Sequence, residues 1–371
     1  MHKIRQLIMA ISVIDHSAKI TSKVVGKFEE IIPVRSGFSG WFPEETTPTL
    51  EVDVEVQRDN DLIAVDVVRF TEGSKTKFSK LSEHKYIPPY FKLDYDFQRD
   101  QVYMNTIALG VGMGSANVNS VIAKNAFKAV NKNRDMIVRA IRKQQADVLQ
   151  TGIVTMTNGD SIDYRRKASS MVNVDTAGDY WSVAATATPL TDIRKGMDFL
   201  RNTGNSGGSA VNVIMRSAAF EALLASAQVK DQGVNVIQQI QRINIGMPQF
   251  EGASGFAHHG IIAAGDFTVN LWTYNEKYTD ANGATQYYLA ENTVVMIPED
   301  FQGKTIFGGL PTLSDGSVAG IPVDMPTVVE AKYLIRSYSD KKTISSTIEL
   351  SSAPLVVPFT IDKIYTMQVL A

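Results

Sequence analysis

Apolar residues recur along this chain with two different periods, and the periods divide it into elements before any chemistry is considered. Leu50, Val52, Val54 and Val56 alternate with Glu51, Asp53 and Glu55, the period of two expected of a strand with one covered face. Arg58-Asp59-Asn60-Asp61 reads as a reversal, and residues 62–70 as the returning strand. A lone hairpin is marginal in water. Its cover must come from the rest of the chain or from another molecule. Residues 73–90 follow as a loop, because Pro88-Pro89 suits neither a ladder nor a helix.

From Asn117 to Gln150 the period changes. Val118, Ile122, Ala126 and Val130, then Ile137, Ile141 and Val148, recur at spacings of four and seven and so share one face of a single helix. Gly152 reads as its stop. Roughly 34 residues at 1.5 Å each make a rod of about 50 Å. A second helix is expected over residues 191–202 after Pro189, then a linker and domain boundary at 204–208. Beyond it come a strand at 211–215 and a helix at 218–228. Strands at 268–274 and 285–289 flank Asn282-Gly283, a strong hairpin signal. Further strands are expected at 292–297, 333–336, 344–350, 355–359 and 365–370. Before Thr49 lies a mixed arm with a helical stretch around 17–30 and a turn-rich segment from Arg35 to Trp41. The fold class is α+β.

Composition narrows the function. The 371 residues are 44% hydrophobic and 20% charged, which is globular and long enough for two or three domains. The absence of cysteine excludes disulfides, thiolate metal sites and cysteine nucleophiles. The apolar run 7–14 is too short to span a bilayer and meets Asp15 at once, so a soluble protein made in the cytoplasm is expected. Gly110-Val-Gly-Met-Gly-Ser115 departs from a dinucleotide fingerprint, because Ser115 stands where glycine is required. Adjacent His258 and His259 cannot chelate one ion from a strand, and a surface loop is the plainer reading. No P-loop or nucleophile elbow is present. No cofactor, metal or catalytic residue is expected.

Charge is distributed unevenly. Between Glu44 and Asp66, eight acidic side chains stand against Arg58 alone. The long helix carries Lys124, Lys128, Lys132, Arg134, Arg139, Arg142 and Lys143 against Asp135 and Asp147. The loop 69–92 is also net basic, with Lys75, Lys77, Lys80 and Lys85 among its residues. One reading makes each a solvated face. The alternative is that acidic hairpin and basic helix are complementary patches on identical subunits, a heterologous contact that propagates into rings or shells.

The order of these elements resembles the phage major capsid protein E family (lambda type), whose members adopt the shell-forming fold named after phage Hong Kong 97. The resemblance runs along nearly the whole chain. It is carried by residues 50–70 leading into Lys85-Tyr-Ile-Pro-Pro-Tyr-Phe-Lys92, by the long helix ending before Gly152, and by Trp181 with Thr191-Asp192-Ile193. Tyr274-Asn-Glu-Lys-Tyr278, Asn282-Gly283, residues 288–294 and Gly308-Gly309 follow in order. The tail Ser352-Ala-Pro-Leu-Val356 and Met367-Gln-Val-Leu-Ala371 is the most specific match. Little can be matched before about Arg35.

The resemblance implies an N-terminal arm (1–48), an extended loop (49–92), a peripheral domain with a spine helix (93–207 and 331–358) and an axial domain (208–330 and 359–371). It implies a non-enzymatic major capsid protein that assembles as pentamers and hexamers into an icosahedral shell around double-stranded DNA of a tailed phage. Expected partners are further copies, a separate scaffolding protein, a small decoration protein at three-fold positions, a portal, and DNA held non-specifically on the inner face. No membrane is involved. The expected intersubunit contacts set Glu51, Asp53 and Glu55 against Lys128, Arg139 or Lys143 of another copy, with Lys77, Lys80 and Tyr90 near the three-fold. An oligomeric phage tail or connector protein is the alternative reading.

Overall fold

The computed structural model describes residues 34–56, 82–98 and 115–371, apart from 157–159, 175–179, 207–209, 235–240, 265–266, 281, 319–320 and 341–344. Two compact units emerge, one holding Lys92–Ile137 and Tyr333–Ser351, the other Arg35–Phe91, Val138–Lys332 and Ser352–Ala371.

The larger unit is organised on a seven-stranded mixed sheet. Its order is Met171–Asn173, Tyr365–Gln368, Thr293–Pro298, Ala210–Met215, Phe267–Tyr274, Phe256–Ala264 and Gln241–Phe250. The central strand Ala210–Met215 runs parallel to one neighbour and antiparallel to the other. Val211, Val213, Ile214 and Met215 in it are all buried, the near-continuous apolar run of a strand covered on both faces. Helix Pro189–Asn202 begins with proline at its first turn, where the missing amide costs no hydrogen bond. It turns Leu190, Ile193, Met197 and Leu200 into the core beside Val213, Met296 and Tyr365. Gly196 makes that approach close: a Cβ there would lie 2.5 Å from the Met296 sulfur. The boundary read from the sequence at 204–208 therefore falls between a helix and a strand that share one core.

The helix expected at 218–228 is two helices, Ser217–Ala225 and Ala227–Val234. Buried Ser226 divides them: its extended backbone ends the first, and its hydroxyl donates to Leu223 O (2.8 Å) and accepts from the Val229 amide. Another expectation is corrected at the turn Asn282-Gly283. The turn exists, with Gly283 at φ +83° and Asp280 Oδ1 accepting from the Asn282 and Ala284 amides. It joins Lys277–Thr279 to Thr285–Tyr287, whereas Phe267–Tyr274 belongs to the large sheet. The turn signal is local, and the deeper strand follows its buried partners.

A three-stranded sheet sets Glu44–Thr46 parallel to Gly303–Phe307, which pairs antiparallel with Pro354–Pro358. Ahead of it, the short turn Gly37–Gly40 buries Phe38 against Trp41, Phe256 and Tyr274. The long helix runs over Ser115–Thr151, one turn at most beyond its expected span. Gly152 ends it at φ +74°, its amide donating to Val148 O. Arg166 then closes the helix C-terminus. Its buried guanidinium donates to Leu149 O (3.1 Å) and Gln150 O (3.3 Å), to Ser170 O and Oγ, and to Ile364 O and Thr366 Oγ1. Burial lowers its pKa to about 10, so it stays charged at neutral pH, where the helix dipole favours a cation.

In the smaller unit, Leu334–Asp340 pairs antiparallel with Ser345–Ser352, where strands are expected at 333–336 and 344–350. Phe91–Gln98 completes this sheet beside Ser345–Ser352. The almost fully buried Glu349 receives Lys92 Nζ at 3.0 Å and the Ser351 hydroxyl at 2.8 Å. Asn133 of the helix donates to Leu93 O.

Candidate assembly surfaces

Strand Val52–Val56 pairs antiparallel with Ser82–Tyr86, from Val52 opposite Tyr86 to Val56 opposite Ser82. The strand expected at 62–70, with Lys75, Lys77 and Lys80, lies outside the described residues. Among the described residues the acidic strand pairs with Ser82–Tyr86, farther along the chain than the nearest apolar run. No third strand joins this ribbon among the described residues. Asp53 stands opposite Lys85, and Glu55 opposite Glu83.

The foot of the ribbon is anchored on its own chain. Val52 and Pro88 are buried, the Tyr86 ring meets Tyr164 edge-on at 5.5 Å, and Gly309 donates its amide to Thr49 O. Burial raises the Tyr86 pKa, with Arg165 opposing. Glu51 is exposed, as are Ile87 (70%) and Tyr90 (45%). Tyr90 thus sits in an exposed link between the ribbon and Phe91–Gln98, just past the paired prolines.

On the long helix, Lys128 is exposed beside Phe127 (70%). Toward the C-terminus the basic residues turn inward. Lys143 holds Asp147 one turn on at 2.6 Å; burial raises the Asp147 pKa and Lys143 opposes it. Half-buried Arg139 lies near Tyr288, whose pKa burial pushes up to about 12 while Arg139 draws it down. Arg142 is buried, donating to Arg35 O and Gln145 Oε1. The positive stripe of the sequence is therefore two populations, one outward around Lys128 and one partly committed to internal bonds. Glu44 and Glu45 are similarly engaged, with Lys332 (2.8 Å) and Lys304 (2.6 Å).

The candidate chemical groups resolve into packing. His258 and His259 lie in strand Phe256–Ala264, not in a surface loop. His258 stacks on Trp272 (4.6 Å), and His259 on Phe220 (4.0 Å) with a bond to Thr273 Oγ1. A β-bulge between His258 and Gly260 accommodates them. Burial lowers the His259 pKa, with His258 adding to the effect. Among the described residues, no cluster of three metal-binding side chains occurs, and no helix is long and apolar enough to cross a membrane. The Gly110–Gly114 segment lies outside the described residues.

Sequence reasoning missed a second ribbon. Leu310–Val318 pairs with Ile321–Val329 over nine rungs, and no further strand joins it among the described residues. Alternation of Val323 and Met325 with Asp324 was the available signal, masked by three prolines that demote a strand reading. Outward apolar residues also mark strand Gln241–Phe250, at Met247 (92%) and Phe250 (59%).

A model of the phage major capsid protein E family matches residues 32–369. The chain belongs to that family. This capsid protein is a subunit of a phage head shell, its role is structural, and its place is the virion. No curated protein matches its sequence. Its fold is that of Hong Kong 97-like capsid proteins, on the evidence of a prophage protein from E. coli CFT073 described as a capsid protein. That protein is 16% identical at TM-score 0.56, with 95% of this chain and 98% of that chain covered. A phage-related protein of Bordetella bronchiseptica RB50 (9% identity, TM-score 0.46, 95% of each chain) is also similar. So is the capsid protein of cyanophage A-1(L) (10%, TM-score 0.45, 92% of this chain and 95% of that one). For a shell subunit the residues of interest are those that meet other copies, and the two ribbons, which no further strand joins among the described residues, are the first candidates.

Proposed function

We propose that this capsid subunit forms pentamers and hexamers that close an icosahedral shell around double-stranded DNA, with the ribbon at 49–92 laid over the long helix of a neighbouring copy. The observation that carries this reading is the ribbon Val52–Val56/Ser82–Tyr86, two strands wide among the described residues, with acidic residues at alternate positions of its first strand. A two-stranded ribbon gains stability by lying on another surface. The exposed Lys128 and Lys132 of the helix offer opposite charge. Single contacts of this kind are weak when exposed, and closure of a many-copy shell multiplies them. Arg139 and Lys143 contribute less in this reading than Lys128, because Lys143 is shared with Asp147. Lys77, Lys80 and Tyr90 belong near the three-fold positions. A separate scaffolding protein, a decoration protein at those positions and a portal complete the assembly, with synthesis in the host cytoplasm. In this reading the large sheet is the axial core, and that core takes in strand Met171–Asn173 and helix Pro189–Asn202 as well.

Reversing Glu51, Asp53 and Glu55 together to lysine tests the pairing. The subunit is expected to keep its circular dichroism while shells recovered by sedimentation fall at least tenfold. Normal shells from the triple variant would refute the ribbon-to-helix contact. Rings or tubes in micrographs of the unaltered protein would favour a connector or tail assembly instead.

A further inference from the structure

We infer that the hairpin Leu310–Val318/Ile321–Val329 is a second assembly arm, which adds the outer edge of its first strand to a strand edge of another copy of this chain. The inference rests on the chain being a shell subunit and is independent of the ribbon at 52–86.

The register carries the argument. Pro311 pairs with Val328, Pro326 with Leu313 and Pro322 with Ser317. In an antiparallel ladder, successive pairs alternate between those that exchange two backbone bonds and those whose amides point away. All three prolines share one parity, the odd positions of the first strand. Proline has no amide to donate, so the internal ladder stays whole when these are the outward-pointing pairs. The two edges then differ. On the second strand, Pro322 and Pro326 alternate with Asp324 and Val328, and half of the outward amides are gone. On the first strand, Leu313, Asp315 and Ser317 present three outward amides in succession. One edge can accept a strand and the other is closed, the asymmetry expected where pairing is wanted once and runaway edge-to-edge growth is not.

Charge identifies the occupant. Residues 310–329 contain Asp315 and Asp324 and no basic residue, and these two are register partners. They fall in a pair of the closer kind, where like charges directly opposite are unfavourable. A lysine or arginine brought by the incoming strand relieves that repulsion. A shell subunit is surrounded by copies of itself, and its outward basic residues supply the complement, so the partner is a second copy in a heterologous contact.

Proline placement gives the test. Leu313→Pro and Ser317→Pro each remove an outward amide from the first strand without touching the internal ladder. Each is expected to leave the circular dichroism of the subunit unchanged and to reduce sedimentable shells at least tenfold. Asp324→Pro, on the closed edge, should assemble as the unaltered chain does. Hydrogen exchange gives an independent readout on that chain: peptide 310–318 should gain at least tenfold protection on passing from free subunit to shell, and peptide 321–329 should gain much less. Normal assembly of both first-strand variants, or equal protection of the two peptides, would overturn the inference. Assembly by these variants alongside failure of the Glu51/Asp53/Glu55 reversal would remove this arm and leave the ribbon reading in place.

Discussion

Replacing Arg166 with methionine is expected to lower the unfolding free energy of the unassembled subunit by about 3–5 kcal/mol, read as a shift in urea midpoint at unchanged slope. The guanidinium is buried and serves four backbone carbonyls and two hydroxyls. Two of those carbonyls, Leu149 O and Gln150 O, lie at the end of the long helix, where the last turn has no partners of its own. Methionine fills much of the volume and satisfies none of the acceptors. Each buried acceptor left unpaired costs about 1–3 kcal/mol, partly recovered if water enters. Lysine retains the charge but not the fork, and should recover less than half of the loss. A shift below about 1 kcal/mol for methionine would show that the contacts around Arg166 are replaceable.

Trp181→Ala should cost about 3–5 kcal/mol by the same measurement. The indole is fully buried in the core of the large sheet, and its Nε1 donates to Asp192 Oδ2 at 3.2 Å. Truncation therefore opens a cavity and removes a donor from a buried carboxylate whose other oxygen takes Lys195 Nζ at 3.2 Å. Trp181→Phe separates the two effects. It keeps most of the packing and loses the hydrogen bond, so a cost of about 1–3 kcal/mol is expected. If phenylalanine proves as damaging as alanine, the Asp192 bond dominates; if alanine is nearly neutral, the core collapses around the gap and the packing argument fails.

The elements that proved legible are those whose signal is contained within themselves. The spacing of Ile137, Ile141 and Val148 with Gly152 behind them gives a helix and its end, because a helix satisfies its own backbone. The Asn282-Gly283 turn is legible for a similar reason. What it joins is not: Phe267–Tyr274 finds partners far away in the chain, and no local pattern says so. The same limit explains the acidic strand, whose partner Ser82–Tyr86 carries Ser82, Glu83, His84 and Lys85 and hardly reads as a strand at all. Arg166 was one of many arginines in the sequence, since its role depends on carbonyls contributed by three separate segments. His258 and His259 read as polar loop residues in sequence, since the Trp272 and Phe220 rings that they lie against come from other segments.

For the candidate site, sequence showed sign and position of charge but not its availability. Lys128 and Lys143 have equal weight in a count along the helix. The structure separates them, one outward and one already holding Asp147. Assembly residues are harder to read than catalytic ones for a physical reason: their partners are on another copy, so no geometry within one chain converges on them.

Parallel pairing of Glu44–Thr46 with Gly303–Phe307 places strands at opposite ends of the folding problem. Lys304 and Glu45, joined there, are separated by 259 positions. Loop closure over such a distance must precede any reward from the contacts it makes, and high contact order slows folding. The subunit therefore spends an extended interval with this seam unsealed. A chain that has not joined its early strand to its late one has not yet brought Gly309 to Thr49, the bond that fixes the foot of the ribbon Val52–Val56/Ser82–Tyr86.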